Sequence, residues 1–175
     1  MKHNGNVYLW TGEGAGKTTS ALGVALRCSG WRLNTVVVQF MKGRKEIGEY
    51  NIMKKLSPYY KIYQFGTKSF IRPINKPKKI DIDMAQRGLE FCYKLVYSKK
   101  LPFLLILDEI NLACSIGLIK IEDVLDLIDR IPKTTTVYLT GRRAPKKLIE
   151  RADFVNEIKL IKSPKKYSYR KGIEF

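Results

Sequence analysis

The sequence predicts an α/β domain built on a doubly wound, mostly parallel sheet with helices on both faces. Three observations predict it. Apolar strand-like runs alternate with helix-period segments along the 175 residues, a glycine-rich turn joins the first strand to the first helix, and a run of four apolar residues closes on two carboxylates. In such sheets ligands bind outside the carboxyl ends of the strands, so the functional residues should lie there.

The elements follow in order. Val7 to Trp10 read as the first strand. Thr18 to Cys28 place Ala21, Leu22, Ala25 and Leu26 at helical spacing, and Gly30 ends that run. Thr35 to Phe40 form a buried strand, Gly48 to Leu56 a short helix, and Lys61 to Phe65 another strand. Gly66 to Ile80 carry Pro73, Pro77 and several lysines, which predicts a loop. Ala85, Leu89, Cys92 and Val96 step by four, three and four and predict an amphipathic helix over 81–98. Leu104 to Leu107 have the unbroken apolar character of a central parallel strand. A helix through Ile121, Val124, Leu125 and Ile128 comes next, then a strand over Thr136 to Thr140, a helix over Pro145 to Arg151 and a last strand over Phe154 to Ile161. The length suits one domain spanning 1–175.

The turn after the first strand reads Thr11-Gly-Glu-Gly-Ala-Gly-Lys-Thr-Thr19. This is a phosphate-binding loop in variant form, with threonine where the usual spacing has its first glycine. Glycines let backbone N–H groups turn inward, Lys17 can reach the β- and γ-phosphates, and the Thr18 hydroxyl can ligate Mg²⁺ at a helix N-terminus. The ligand class is a nucleoside triphosphate. Asp108 and Glu109, at the end of the most apolar strand, are placed to hold the same Mg²⁺. Thr140-Gly141-Arg142-Arg143 end a further strand, where Arg142 could bond a phosphate and a plain turn is the alternative. Tyr59, Tyr60, Tyr63, Phe65 and Phe70 surround one strand. Tyr63 and Phe65 read as core, while Phe70, between Lys68 and Arg72, could face a flat ligand.

Composition removes several classes. His3 is the single histidine, at the very start of the chain, which argues against Ser-His-Asp catalysis and histidine metal sites. Cys28, Cys92 and Cys114 are odd in number and sit in apolar segments, so they read as buried core thiols. No apolar window is long enough to span a membrane and no signal peptide is visible, which points to the cytoplasm. The 33 Lys and Arg against 16 Asp and Glu give a net charge of +17, spread over the chain. A solvated basic surface is the plainer meaning and nucleic acid the alternative.

Taken together these segments resemble the P-loop ATP:corrinoid adenosyltransferases, whose fold is similar to RecA-like domains. The resemblance rests on the loop with Ala21-Leu22-Gly23 and Arg27, on Val38 to Gly43, on Gly48-Glu49 and on Leu107-Asp108-Glu109-Ile110-Asn111. It continues through Leu139-Thr140-Gly141-Arg142, Ala152 to Glu157 and Gly172-Ile173-Glu174-Phe175. The family's loop also has the leading threonine. The resemblance implies that Co(I) of a reduced corrinoid attacks C5′ of ATP and expels the whole triphosphate. Gly12, Glu13, Gly14, Ala15, Gly16, Lys17, Thr18 and Thr19 would contact phosphates, Arg27 would lie near the nucleoside, and Thr18 and Glu109 would bind Mg²⁺. Lys17 would stabilise the leaving group and Phe70 would displace the corrinoid's lower ligand, because the family's Gly-Phe-Thr-Trp-like segment is replaced here by Gly66 to Ile71. A homodimer is also implied.

Other departures concern lid closure. The chain starts almost directly at its first strand, without the N-terminal segment that covers the site in some relatives. Lys162-Ser163-Pro164 lacks a histidine found there in the family, and Lys165 to Arg170 replace a glycine-containing loop. The competing expectations are a RecA-like ATPase stimulated by nucleic acid, with Glu109 orienting water, a small-molecule kinase, and a basic binding module. The charge further suggests docking of an acidic flavoprotein that supplies the electron for Co(II) reduction.

Overall fold

In the computed structural model, residues 5–67, 77–98, 101–166 and 168–173 are described. The chain runs β1 (Val7–Thr11), α1 (Lys17–Gly30), β2 (Thr35–Phe40), α2 (Gly48–Asn51), α3 (Met53–Leu56), β3 (Tyr60–Phe65), α4 (Lys79–Tyr97), β4 (Leu104–Asp108), α5 (Ile110–Ser115), α6 (Ile121–Arg130), β5 (Thr136–Thr140), α7 (Lys146–Arg151) and β6 (Phe154–Glu157). Among these residues the strands form one sheet in the order β3-β2-β4-β5-β1-β6, with every pairing parallel.

The apolar runs explain the order. Every residue of β2 and β4 is buried, as strands covered on both faces require. One face packs Val37, Ile106, Leu104 and Tyr138 against Ala21, Ala25 and Cys28 of α1, whose small side chains let the helix lie close to the sheet. The other face packs Val38, Phe40, Leu105, Leu107 and Leu139 under α4, α5, α6 and α7, through Leu89, Cys92, Ala113, Val124, Leu127 and Leu148. Burial of one such leucine contributes about 2 kcal/mol, and cutting Leu107 to alanine would cost about 2–5 kcal/mol once the cavity is included. The three cysteines are free and buried, as expected.

Three elements differ from the sequence expectation. The helix expected over 48–56 is interrupted at Ile52 and forms two short pieces. The last strand ends at Glu157, not at Ile161, because its neighbour β1 ends at Thr11 and turns away into the glycine-rich loop. Helix α5 was not expected: Ile110 to Cys114 are all buried, so the segment shows no amphipathic period to reveal it. Tyr63, expected in the core, is 37% exposed and leans on Phe91 with ring centroids 4.4 Å apart. No helix among the described residues is long and apolar enough to cross a membrane.

Candidate nucleotide and metal site

The glycine-rich loop crosses the carboxyl end of β1, and its shape is fixed from behind. Gly12 and Gly16 have φ of 98° and 108°, the left-handed region that favours glycine. A Cβ on Gly12 would lie 2.4 Å from the Ile158 carbonyl oxygen, and one on Gly14 would lie 2.6 Å from Ile158 Cγ2. Gly14 N–H donates to the Ile158 carbonyl at 2.8 Å, and Ile158 N–H donates to the Thr11 carbonyl at 2.9 Å. Two of the three glycines are thus needed for close approach to Ile158, and the Gly14 N–H is taken up by that brace. Thr11 also gains a reason: its Oγ1 accepts the Ala144 N–H at 3.2 Å, tying the loop to the segment after β5.

Lys17 begins α1 and is buried, with its Nζ donating to the Gly14 carbonyl. Burial, and then the charge of Arg142, hold its ammonium below the ordinary lysine range. Arg142 itself pairs with Glu13 across the loop mouth, both side chains being at least half exposed. Both lie where the sequence placed them.

Strand β5 sits between the loop strand β1 and the carboxylate strand β4, and its last residue joins them. Thr140 Oγ1 donates to Asp108 Oδ1 at 2.6 Å and accepts the Glu109 N–H at 3.1 Å. Thr18 Oγ1 donates to the same Oδ1 at 2.7 Å. The other oxygen, Oδ2, accepts Lys42 Nζ at 2.7 Å and Gln39 Nε2 at 3.0 Å. Burial alone would raise this carboxyl, but the Lys42 charge, with hydrogen bonds from Lys42, Thr140 and Thr18, holds it below the usual carboxylate range. Its neighbour behaves oppositely. Burial, and then the Asp108 charge, push Glu109 above its ordinary value.

Glu109 occupies a left-handed turn, φ 63°, between β4 and α5, and its Oε2 is buried without a hydrogen-bond partner. An orphaned carboxylate oxygen on Glu109, whose charge interacts with Asp108, together with the Thr18 hydroxyl on Asp108, offers hard-oxygen donors of the kind that fit Mg²⁺. Among the described residues no group of three or more His, Cys, Asp or Glu gathers. A cation here would therefore draw its remaining ligands from water and phosphate oxygens, which is the habit of Mg²⁺.

The structure brings Glu13, Lys17, Thr18, Asp108, Glu109 and Arg142 to one end of the sheet. Ala15 and Thr19 are exposed beside them. Arg27 is not gathered there: it is exposed in the last turn of α1, about 15 Å along the helix from Lys17, where its charge acts on Cys28 and Tyr138. Phe70 lies outside the described residues. The residue reading missed Lys42, Gln39 and Asn111 as members of the site. Lys42 and Gln39 flank the carboxyl end of β2, so position in the sheet was the available signal. Asn111 is fully buried and its Nδ2 donates to the Trp10 carbonyl at 3.2 Å and the Gly141 carbonyl at 3.3 Å, holding the ends of β1 and β5 together.

This fold and site define an α/β protein of the RecA-like P-loop class. Among solved structures it is similar to the flagellar accessory protein FlaH from Methanocaldococcus jannaschii, with a TM-score of 0.57 and 14% identity over 88% of this chain and 71% of that one. That likeness concerns the fold. The family model described as ATP:corrinoid adenosyltransferase BtuR/CobO/CobP matches residues 3–175. A corrinoid adenosyltransferase from Sinorhizobium is 33% identical over 97% of this chain and 77% of its own length. One from Pseudomonas aeruginosa is 31% identical over 98% and 84%, and the Salmonella typhimurium protein CobA is 27% identical over 99% and 84%. The chain belongs to the ATP:corrinoid adenosyltransferase family.

Proposed function

We propose that this enzyme transfers the 5′-deoxyadenosyl group of ATP to Co(I) of a reduced corrinoid, forming adenosylcobalamin or a precursor and releasing intact triphosphate. The observation that carries the reading is the meeting of Lys17, Arg142 and the left-handed loop glycines with Thr18 and Asp108 at one strand-end cluster. Cobalt supplies the electron pair for the new Co–C5′ bond and rises formally from Co(I) to Co(III). The C5′–O bond breaks and its electron pair leaves on the triphosphate.

Charge therefore grows on the leaving group, and cations aimed at it lower the barrier. Lys17 exchanges its Gly14 carbonyl for phosphate oxygen, and Arg142 exchanges Glu13 for the same. Thr18, Asp108 and Glu109 hold Mg²⁺, which when bound neutralises part of the triphosphate charge. Co(I) needs no general base, so the scarcity of histidine is no handicap. Phe70 is the proposed apolar wedge against the lower face of the corrinoid, and an acidic flavoprotein is the proposed electron donor to a cytoplasmic homodimer.

Anaerobic incubation with ATP, Mg²⁺ and reduced cobalamin tests this. The expected result is the absorbance change of a new cobalt–carbon bond with stoichiometric triphosphate. ADP or orthophosphate as the main product would overturn it in favour of an ATPase or kinase.

A further inference from the structure

Lys42 has no assigned part in holding phosphate by the loop. It stands just beyond β2, after Met41 has taken a left-handed turn with φ 58°. Its Nζ donates to Asp108 Oδ2 at 2.7 Å and to Thr18 Oγ1 at 3.4 Å. The ammonium is seated on two of the three residues proposed to hold Mg²⁺, and the present inference rests on that proposal.

Asp108 is fully satisfied by protein alone. Thr18 and Thr140 donate to one oxygen, Lys42 and Gln39 to the other. A cation can join this carboxylate only if a donor leaves. Gln39 and Thr140 are completely buried in the sheet and cannot withdraw. Thr18 can rotate its hydroxyl and stay as a ligand. Lys42, with 26% of its side chain exposed on a flexible stem, can move out, and its charge would repel a divalent ion if it stayed.

We propose that Lys42 is a built-in counter-ion of Asp108, a positioning residue that alternates with the divalent cation on this carboxylate. Without nucleotide the ammonium holds Asp108 oriented and closed to metal. The triphosphate brings oxygens that accept both the metal and the displaced ammonium, so metal enters as a complex with nucleotide and not before it. Lys42 thereby sets the order in which the site fills.

The test is Mn²⁺ binding without nucleotide, followed by electron paramagnetic resonance of free Mn²⁺, in the wild type, Lys42→Met, Lys42→Gln and Lys42→Arg. Removing the ammonium should tighten Mn²⁺ binding at least about tenfold in the Met and Gln variants, while Arg, which keeps the charge, stays within about threefold of wild type. Mn²⁺ should also raise the melting temperature of Lys42→Met by more than that of the wild type, including rescue of folding if the variant is unfolded without metal. Folded Met and Gln variants with wild-type or weaker Mn²⁺ affinity overturn the proposal, as do variants that fail to fold even with Mn²⁺. Asp108→Asn separates this from the metal reading. If that variant binds MgATP as the wild type does, the metal assignment fails and this one with it. If it loses MgATP while the Lys42 variants behave as wild type toward Mn²⁺, the Lys42 assignment alone fails.

Discussion

Replacing Thr140 by valine removes one hydroxyl and keeps the outline of the side chain. That hydroxyl donates to Asp108 at 2.6 Å and accepts the Glu109 N–H at 3.1 Å, in a residue with no exposure to solvent. A hydrogen bond to a buried charged group is worth about 1.5–3 kcal/mol, and a buried N–H left without a partner costs about 1–3 kcal/mol. Thr140→Val should therefore destabilise the metal-free protein by about 3–5 kcal/mol. The assay is urea unfolding in a chelating buffer, with the midpoint lowered and the slope unchanged. Thr140→Ser keeps the hydroxyl and should recover most of the loss. A cost under about 1 kcal/mol for the valine variant, well below the range set by two lost partners, would refute the view that β5 fixes the carboxylate end of β4 through this atom.

Lys17→Ala should slow adenosyl transfer by about 3 kcal/mol or more, a loss of two orders of magnitude, measured as single-turnover rate at saturating ATP. In metal-free protein Asp108 and Glu109 should give opposite pH signatures. Asp108 is depressed in the folded state, so its contribution is present above its ordinary value of 3.8 and is lost as pH falls through the lower folded value. Glu109 is raised, so stability is lost as pH rises from its ordinary value of 4.5 through the folded value; Glu109→Gln should stabilise the protein at pH 7 and flatten that part of the urea-midpoint profile. Gly14→Ala should be partly rescued by Ile158→Ala, which removes the Cγ2 atom 2.6 Å away, whereas Gly12→Ala meets the Ile158 backbone at 2.4 Å and should gain nothing from that second change, as read from melting temperatures.

The strands were legible where apolar runs were long. Thr35–Phe40 and Thr136–Thr140 coincide with their expected bounds, and Leu104 to Leu107 need only Asp108 added, since a strand buried on both faces leaves an unmistakable pattern. Lys17, Thr18, Asp108 and Glu109 were legible because the phosphate loop and the acidic strand end have fixed local chemistry. Lys42 and Gln39 were not, because their partner is 66 and 69 residues away and nothing local marks a lysine that turns inward. Helix α5 was hidden by burial on all sides. The second demand on Gly12 and Gly14 was hidden for a similar reason: the residue they make room for is Ile158, far along the chain.

That brace carries a consequence for synthesis. The phosphate loop is synthesised well before the residue that shapes it, because Ile158 follows Gly14 only after most of the sheet has been made. A nascent chain extended only to Arg151 carries Lys17, Thr18, Asp108 and Arg142, but lacks β6 and the Ile158 backbone on which Gly12 and Gly14 rest. Nucleotide gripping should therefore appear late and abruptly in chain growth. Until then the lysine-rich polypeptide has the chemistry of the site without its shape, and ATP in the cell has little to hold.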